Sequence, residues 1–205
     1  MFPDWLDYRV GQLMKILQGH AIDLLDEIPQ EIALLATDPP YAFGGSGGEH
    51  ALSAAVATTL REYGKRVKNG WAVVFCASSW RSTAYMVEAM RGVMDPVRMG
   101  TWIKEGGTTK VKTPGWRWAS VNVLIFRKGK PAVDMYAPSE RRDWCGADPI
   151  TNGRRAQLPD VVCEWAVNPY ARPGYVCVDP FAGSGALLKA AEKAGMDAYG
   201  CEIAP

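Results

Sequence analysis

Tyr175-Val176-Cys177-Val178-Asp179-Pro180-Phe181-Ala182-Gly183-Ser184-Gly185 is the stretch whose reading decides the fold. It begins as a short apolar run and reaches an acidic residue. A tight Gly-x-Gly turn then opens a helix over Ala186–Ala194. In open α/β sheets, ligands bind at the carboxyl ends of strands, and a glycine turn before a helix offers backbone N–H groups to them. A dinucleotide could use such a turn. The usual Gly-x-Gly-x-x-Gly spacing would then need glycine at 188, where Leu188 stands, so a dehydrogenase is the weaker reading.

A second strand of the same kind lies far upstream. Ile32-Ala33-Leu34-Leu35-Ala36 is uncharged, short and bounded by breakers, as a buried strand is. It runs into Asp38-Pro39-Pro40-Tyr41, where Pro39 ends the ladder because it has no N–H to give. Asp38 and the carbonyls around Pro39 and Pro40 are acceptors, and Tyr41 is a flat stacking surface. That set suits a planar heterocycle with an exocyclic NH2. Alone, the tetrapeptide also reads as a plain proline turn.

Together, Asp38-Pro39-Pro40-Tyr41 and Asp179-Pro180-Phe181-Ala182-Gly183-Ser184-Gly185 resemble the motifs of the S-adenosylmethionine-dependent DNA amino-methyltransferases, the adenine-N6/cytosine-N4 family. The order resembles the subclass in which the catalytic motif precedes the cofactor motif. The resemblance implies an α/β, Rossmann-like methyltransferase fold with permuted motif order. Its seven-stranded, mostly parallel sheet carries helices on both faces. The strand at Leu13–Leu17 then lies beside the Glu202 strand, followed by the Asp179 strand and the Asp38 strand. It further implies one catalytic domain over residues 1–205, with a short basic target-recognition segment at about 130–158.

The implied cofactor is S-adenosyl-L-methionine, held by Asp179, Pro180, Phe181, Ala182, Gly183, Ser184 and Gly185, with Glu202 for the ribose diol. His20 and Ala21 follow the first strand, where the family usually has Gly-Asp-Ala beside the adenine. Here the aspartate's place is taken by His20, a candidate adenine contact or an ordinary loop residue. Leu158 likewise stands where many relatives have the lysine of a Lys-Pro pair.

The implied reaction is methylation of the exocyclic N6 amine of adenine in DNA by base flipping. Asp38, Pro39, Pro40 and Tyr41 are the catalytic candidates. An aspartate at the first position resembles the adenine enzymes, whereas the cytosine-N4 enzymes more often carry serine. A cytosine-N4, RNA or protein-amide acceptor is the alternative within this class. A catalytically silent subunit that binds cofactor or DNA is the alternative outside it.

Composition sets the outer bounds. The 205 residues are 48% hydrophobic and 22% charged, which is globular and large enough for a sizeable core. No apolar run reaches membrane length, and Met1-Phe2-Pro3-Asp4-Trp5 lacks the start of a signal segment, so the expectation is a cytoplasmic protein. Five scattered cysteines without a Cys-x-x-Cys pair, and two histidines, argue against a metal site.

The net charge of +1 conceals an asymmetry. Residues 98–155 hold 12 of the 23 Lys and Arg and 5 of the 22 Asp and Glu, a local +7. Such a block suits a polyanion, and DNA is the partner that fits it. Lys110, Lys112, Arg117, Arg141, Arg142, Arg154 and Arg155 are the candidate DNA contacts. Trp116-Arg117-Trp118 interleaves aromatic and cationic groups, as nucleic-acid stacking surfaces do, or places tryptophan in the core with arginine outside. A segment this short has few side chains for base edges, so short or relaxed sequence specificity is expected. The rival account is that a partner, or a second copy in a homodimer, completes the reader.

The remaining elements read in order. Ile22–Glu27 reads as a short helix stopped by Pro29. The glycine-rich stretch Gly44–Gly48 suits a flap over the target nucleotide or a plain connection. Ala51–Val67 is a helix with Leu52, Val56, Leu60 and Tyr63 on one face. Asn69-Gly70 reads as a turn before a Trp71–Cys76 strand. Ser78-Ser79-Trp80 caps a helix through about Met90, with capping and core roles expected for Ser78 and Trp80. Arg98–Lys104 reads as an edge strand, Val121–Phe126 as an inner one, and Asp197–Glu202 as the last.

Overall fold

The spine of the molecule is a mixed sheet, eight-stranded among the described residues. A computed structural model describes residues 13–40, 48–77, 79–105, 119–132, 142–150 and 157–203, with side chains in the first helix from residue 54 onward. The strands are β1 (Met14–Gln18), β2 (Ile32–Thr37), β3 (Val67–Ala77), β4 (Asp95–Ile103), β5 (Ser120–Arg127), β6 (Trp144–Gly146), β7 (Val176–Asp179) and β8 (Asp197–Glu202). Their order across the sheet is β1-β8-β7-β2-β3-β5-β4-β6. All neighbours are parallel except at β5, which runs against both β3 and β4. The first four positions match the order expected from the two motifs.

Helices cover both faces, as expected. On one face, α1 (Gly48–Arg66) and α2 (Trp80–Met90) pack Val56, Leu60, Tyr63, Met86 and Met90 against Ala72, Val74, Leu124 and Phe126. On the other, α3 (Asp160–Val167) and α4 (Ala186–Lys193) pack Val162, Ala166, Leu187 and Leu188 against Val73, Phe75, Val123 and Ile125. β2 and β3 are buried almost end to end because both of their faces are covered, which is why they read as unbroken apolar runs.

Four local expectations are corrected. Among the described residues the sheet has eight strands rather than seven. The added one, β6, is three residues long and pairs with the end of β4, so Arg98–Lys104 belongs to an inner strand and not to an edge. Asn69-Gly70 lies inside β3 instead of forming a turn before it. Asn69 has φ +43, as an Asn-Gly pair invites, but the residue makes a bulge across which pairing to β2 jumps from Ile32–Val67 to Leu34–Trp71. A Cβ on Gly70 would lie 2.3 Å from the Ala33 carbonyl oxygen, so only glycine fits that crossing. The short helix expected over Ile22–Glu27 shrinks to a turn and a single 3-10 stretch, Leu25–Glu27.

Candidate functional site

The two motifs meet at the carboxyl rim of the sheet. β2 and β7 are hydrogen-bonded neighbours, with Leu34 beside Cys177 and Leu35 beside Val178. Thr37, the last residue of β2, donates its hydroxyl to Asp179 Oδ1, the last residue of β7, at 2.5 Å. Both are buried: Thr37 is 0% and Asp179 2% exposed. Asp38 is the next residue after that contact and is half-buried; Pro39 behind it is buried and Pro40 exposed.

The glycine turn is closed by its own backbone and by Glu202. Asp179 Oδ1 also accepts from Phe181 N (2.9 Å), which folds the chain back immediately after β7. Ala182 N donates to Cys201 O (2.9 Å) and Gly185 N to Ala182 O (2.7 Å). Gly183 sits at φ +51 with nothing within 4 Å of the place a Cβ would occupy. The turn therefore leaves an open cradle where a ligand can approach the backbone. Glu202, at the end of β8, accepts from Gly183 N (2.7 Å) and Ile203 N (3.1 Å), so its carboxylate is aimed at the turn.

The loop after β1 joins the same rim. Gly19 N donates to Glu202 O (2.9 Å), which sets His20 and Ala21 beside the end of β8. Tyr63 of α1 donates its hydroxyl to Ala21 O (2.8 Å) and so pins this loop to the helix layer. Ala21 is buried and His20 exposed.

The rim is strongly acidic. Burial pushes the Asp179 carboxyl up to about 7. The Thr37 and Phe181 hydrogen bonds pull the other way, while the charges of Asp38 and Glu202 add to the rise. Opposite them stands Lys104, just past the end of β4. Its Nζ lies 4.8 Å from the Trp102 ring centroid, and Trp102 is itself fixed by Nε1 donating to Ala147 O (2.8 Å). Burial lowers the Lys104 ammonium and the Asp38 carboxylate raises it. The cation thus lies within electrostatic reach of the catalytic candidate.

The structure brings together Asp38, Pro39, Asp179, Pro180, Phe181, Ala182, Gly183, Ser184, Gly185, Glu202, His20 and Ala21 at one end of the sheet. Tyr41 lies outside the described residues, as do the glycine-rich stretch through Gly47, Ser78, Trp116-Arg117-Trp118 and the candidate DNA contacts Lys110, Lys112, Arg117, Arg141, Arg154 and Arg155. Arg142 is described and exposed. Its guanidinium lies 5.1 Å from the Trp144 ring centroid, on the lateral edge formed by β6.

Three residues carry more than the sequence alone conveys. Lys104 closes a strand, and only the sheet order turns it toward Asp38. Thr37 is the last letter of an apolar run. Trp80, expected in the core, is 93% exposed at the start of α2, while Ser79 does the capping by accepting from Ser82 N (3.1 Å). Leu158, the departure from Lys-Pro, is a core residue packed with Val162 and Cys163.

A Rossmann-like sheet with a glycine turn, an acid at the end of the next strand and a second acidic motif on the adjacent strand defines a nucleotide-cofactor α/β protein. A sequence model of the N6/N4 DNA methylase family matches residues 32–205, and the chain belongs to that family. Its fold is similar to that of M1.HpyAVI in complex with SAM (TM-score 0.74, 19% identity, 94% of each chain covered). It is also similar to the cytosine-N4-specific PvuII DNA methyltransferase (TM-score 0.74, 18% identity, 95% of this chain and 84% of that one). A third likeness is to TTHA0409 from Thermus thermophilus, complexed with S-adenosyl-L-methionine (TM-score 0.69, 21% identity, 94% and 89% covered). At these identities the likeness is one of fold. No curated protein sequence matches the chain.

Proposed function

We propose that this DNA methylase transfers a methyl group from S-adenosyl-L-methionine to the exocyclic N6 amine of adenine in DNA. The observation that carries the reading is the adjacency of Asp38 and the glycine turn on hydrogen-bonded neighbouring strands. The residues present fit the cofactor. Gly183 leaves room at the turn, Glu202 supplies a carboxylate for a ribose diol, and the carboxylates of Asp38, Asp179 and Glu202 lie within electrostatic reach of one another there, which suits a cationic donor. When bound, the cofactor supplies a methyl group on a positively charged sulfur.

The acceptor amine is a poor nucleophile because its lone pair is delocalised into the ring. Asp38 and the Pro39 carbonyl accept its two N–H bonds and draw the nitrogen toward a tetrahedral shape, which frees the lone pair. Tyr41 stacks on the base, which must leave the duplex to reach the rim. Holding both partners in line supplies much of the remaining acceleration. Asp38 need not be a strong base, since the proton departs after the methyl group has moved.

Asp38 favours adenine; the fold likeness to a cytosine-N4-specific enzyme keeps cytosine as the second reading. Incubation of the protein with unmethylated genomic DNA and methyl-labelled cofactor, then digestion to nucleosides, separates them. N6-methyladenine supports the reading. N4-methylcytosine moves the acceptor to the second, and absence of label from DNA overturns both.

A further inference from the structure

Asp179 is a carboxylate buried to within 2% of its surface, and among the described residues no cation neutralises it. Its Oδ1 accepts from Thr37 Oγ1 and Phe181 N, and among the described residues no donor reaches Oδ2. The charges that act on it are those of Asp38, after β2, and Glu202, at the end of β8, and both are negative. The other titratable neighbours are thiols: Cys177 on its own strand, Cys201 on β8 and Cys163 on α3. Burial pushes all three up, so they stay uncharged near neutral pH. A buried carboxylate without a cation is costly, and the easier course is to hold a proton until a cation arrives.

We propose that Thr37 is a positioning residue of the cofactor site. Its hydroxyl keeps Asp179 aligned and ready to ionise, so that a cationic methyl donor binds in exchange for the Asp179 proton. The inference rests on the reading that S-adenosyl-L-methionine is the donor. The balance is simple: the ligand brings positive charge into the cleft and one proton leaves Oδ2 for solvent. Below the point at which Asp179 ionises, affinity rises with pH; above it the Asp179 contribution is flat, and the ligand's own α-amino group, which titrates near about 7.7–8.0, acts equally on wild type and variant. Thr37 donates to the charged form and so sets where that bend falls. A hydroxyl that served stability alone would change the melting temperature and leave the bend in place.

The test is titration calorimetry of S-adenosyl-L-methionine into the full chain from about pH 5.5 to 9, a window that brackets the ionisation of Asp179, in buffers of different ionisation heat. Wild-type protein releases close to one proton per ligand at the acid end and almost none at the alkaline end. Thr37→Val, which keeps the shape and removes the donor, moves the bend up by about one pH unit. Its affinity at the acid end is then up to about tenfold lower, and it converges on wild type at the alkaline end. Thr37→Ser restores the wild-type profile.

Absence of buffer dependence in wild-type protein overturns the proposal, and this outcome does not need the variant to fold. An unmoved bend in Thr37→Val overturns it as well. Failure of the wild type to bind the ligand at any pH overturns the donor assignment itself.

Discussion

On one side of β2 a glycine turn and a carboxylate shape the rim; on the other, cations and aromatic rings do. The β7–β8–β1 wing joins its strands through a glycine turn, one eight-residue helix and backbone bonds such as Ala182 to Cys201 and Gly19 to Glu202. The β3–β5–β4–β6 wing has equally regular strands, but long connections separate β4 from β5 and β5 from β6. The first wing fixes its polar groups before any ligand comes. The second presents cations on rings and one bare ring: Lys104 over the buried Trp102 at the rim, Arg142 over Trp144 on the lateral edge, and Trp80 almost fully in water. A cofactor is the same molecule in every turnover and suits a rigid site. A nucleic acid has to be gripped, opened and released, which suits exposed cations and aromatic faces.

This contrast can be broken at four points. The largest effect belongs to Asp38, which stands where the wings meet. Asp38→Ala should lower methyl transfer on the order of 10²–10³-fold, as loss of one preorganised polar group at a reacting centre does. The affinity for cofactor, measured by calorimetry, should stay close to wild type. Equal loss of both would place Asp38 in cofactor binding instead.

Next comes the closed wing. Glu202→Gln keeps the shape and removes the charge that accepts from Gly183 and Ile203. Cofactor affinity should fall about 10–100-fold, the value of a charge-assisted hydrogen bond, with DNA affinity unchanged. A matching loss in DNA binding, read by fluorescence anisotropy, would show the wings to be coupled more tightly than their architecture suggests.

The open wing is tested by Trp80→Ala. At 93% exposure the indole holds nothing in place, so the melting temperature should stay within about a degree of wild type. DNA affinity should drop by about tenfold, in keeping with loss of one aromatic stacking surface. Unchanged DNA affinity would remove α2 from the nucleic-acid face.

The smallest effect is the pH dependence of stability without ligand. Asp179 holds its proton up to about 7 in the folded chain, whereas an unfolded aspartate loses it near about pH 3.9. Between those values the native state binds the extra proton, so stability is greatest below the lower value and falls as pH rises through the upper one. The Asp179 contribution should therefore lower the melting temperature of ligand-free protein across that window relative to Asp179→Asn. Asp179→Asn should flatten the decline. A rising curve would mean that Asp179 is paired with a cation.

How legible all this is in the sequence depends on range. β2, β3, β5 and β7 announce themselves as apolar runs because each is covered on both faces or ends in a breaker. The adjacency of Asp38 and Asp179 comes from two motifs taken together, since neither run says which strand it lies beside. Asn69-Gly70 advertises backbone that favours positive φ, and Asn69 adopts it. What local chemistry does not say is that such a residue serves a bulge inside a strand. β6 spans three residues, Trp144-Cys145-Gly146, too few for any periodicity. Trp80 misleads because large aromatics are usually buried, and only the lack of an opposing layer at the top of α2 leaves it in water. The Thr37–Asp179 hydrogen bond and the charge effect of Asp38 on Lys104 come from topology, invisible until the order of strands is known.

The placement of β1 against β8 has a consequence in time. Met14 finds its partner at Ala198, so β1 leaves the ribosome long before the strand it needs. Until then β1 and the β7-facing side of β2 are open ladders, the kind of surface that invites aggregation. Pairing across such a span also slows folding. The β7–β8–β1 wing is therefore the last part of the sheet to close.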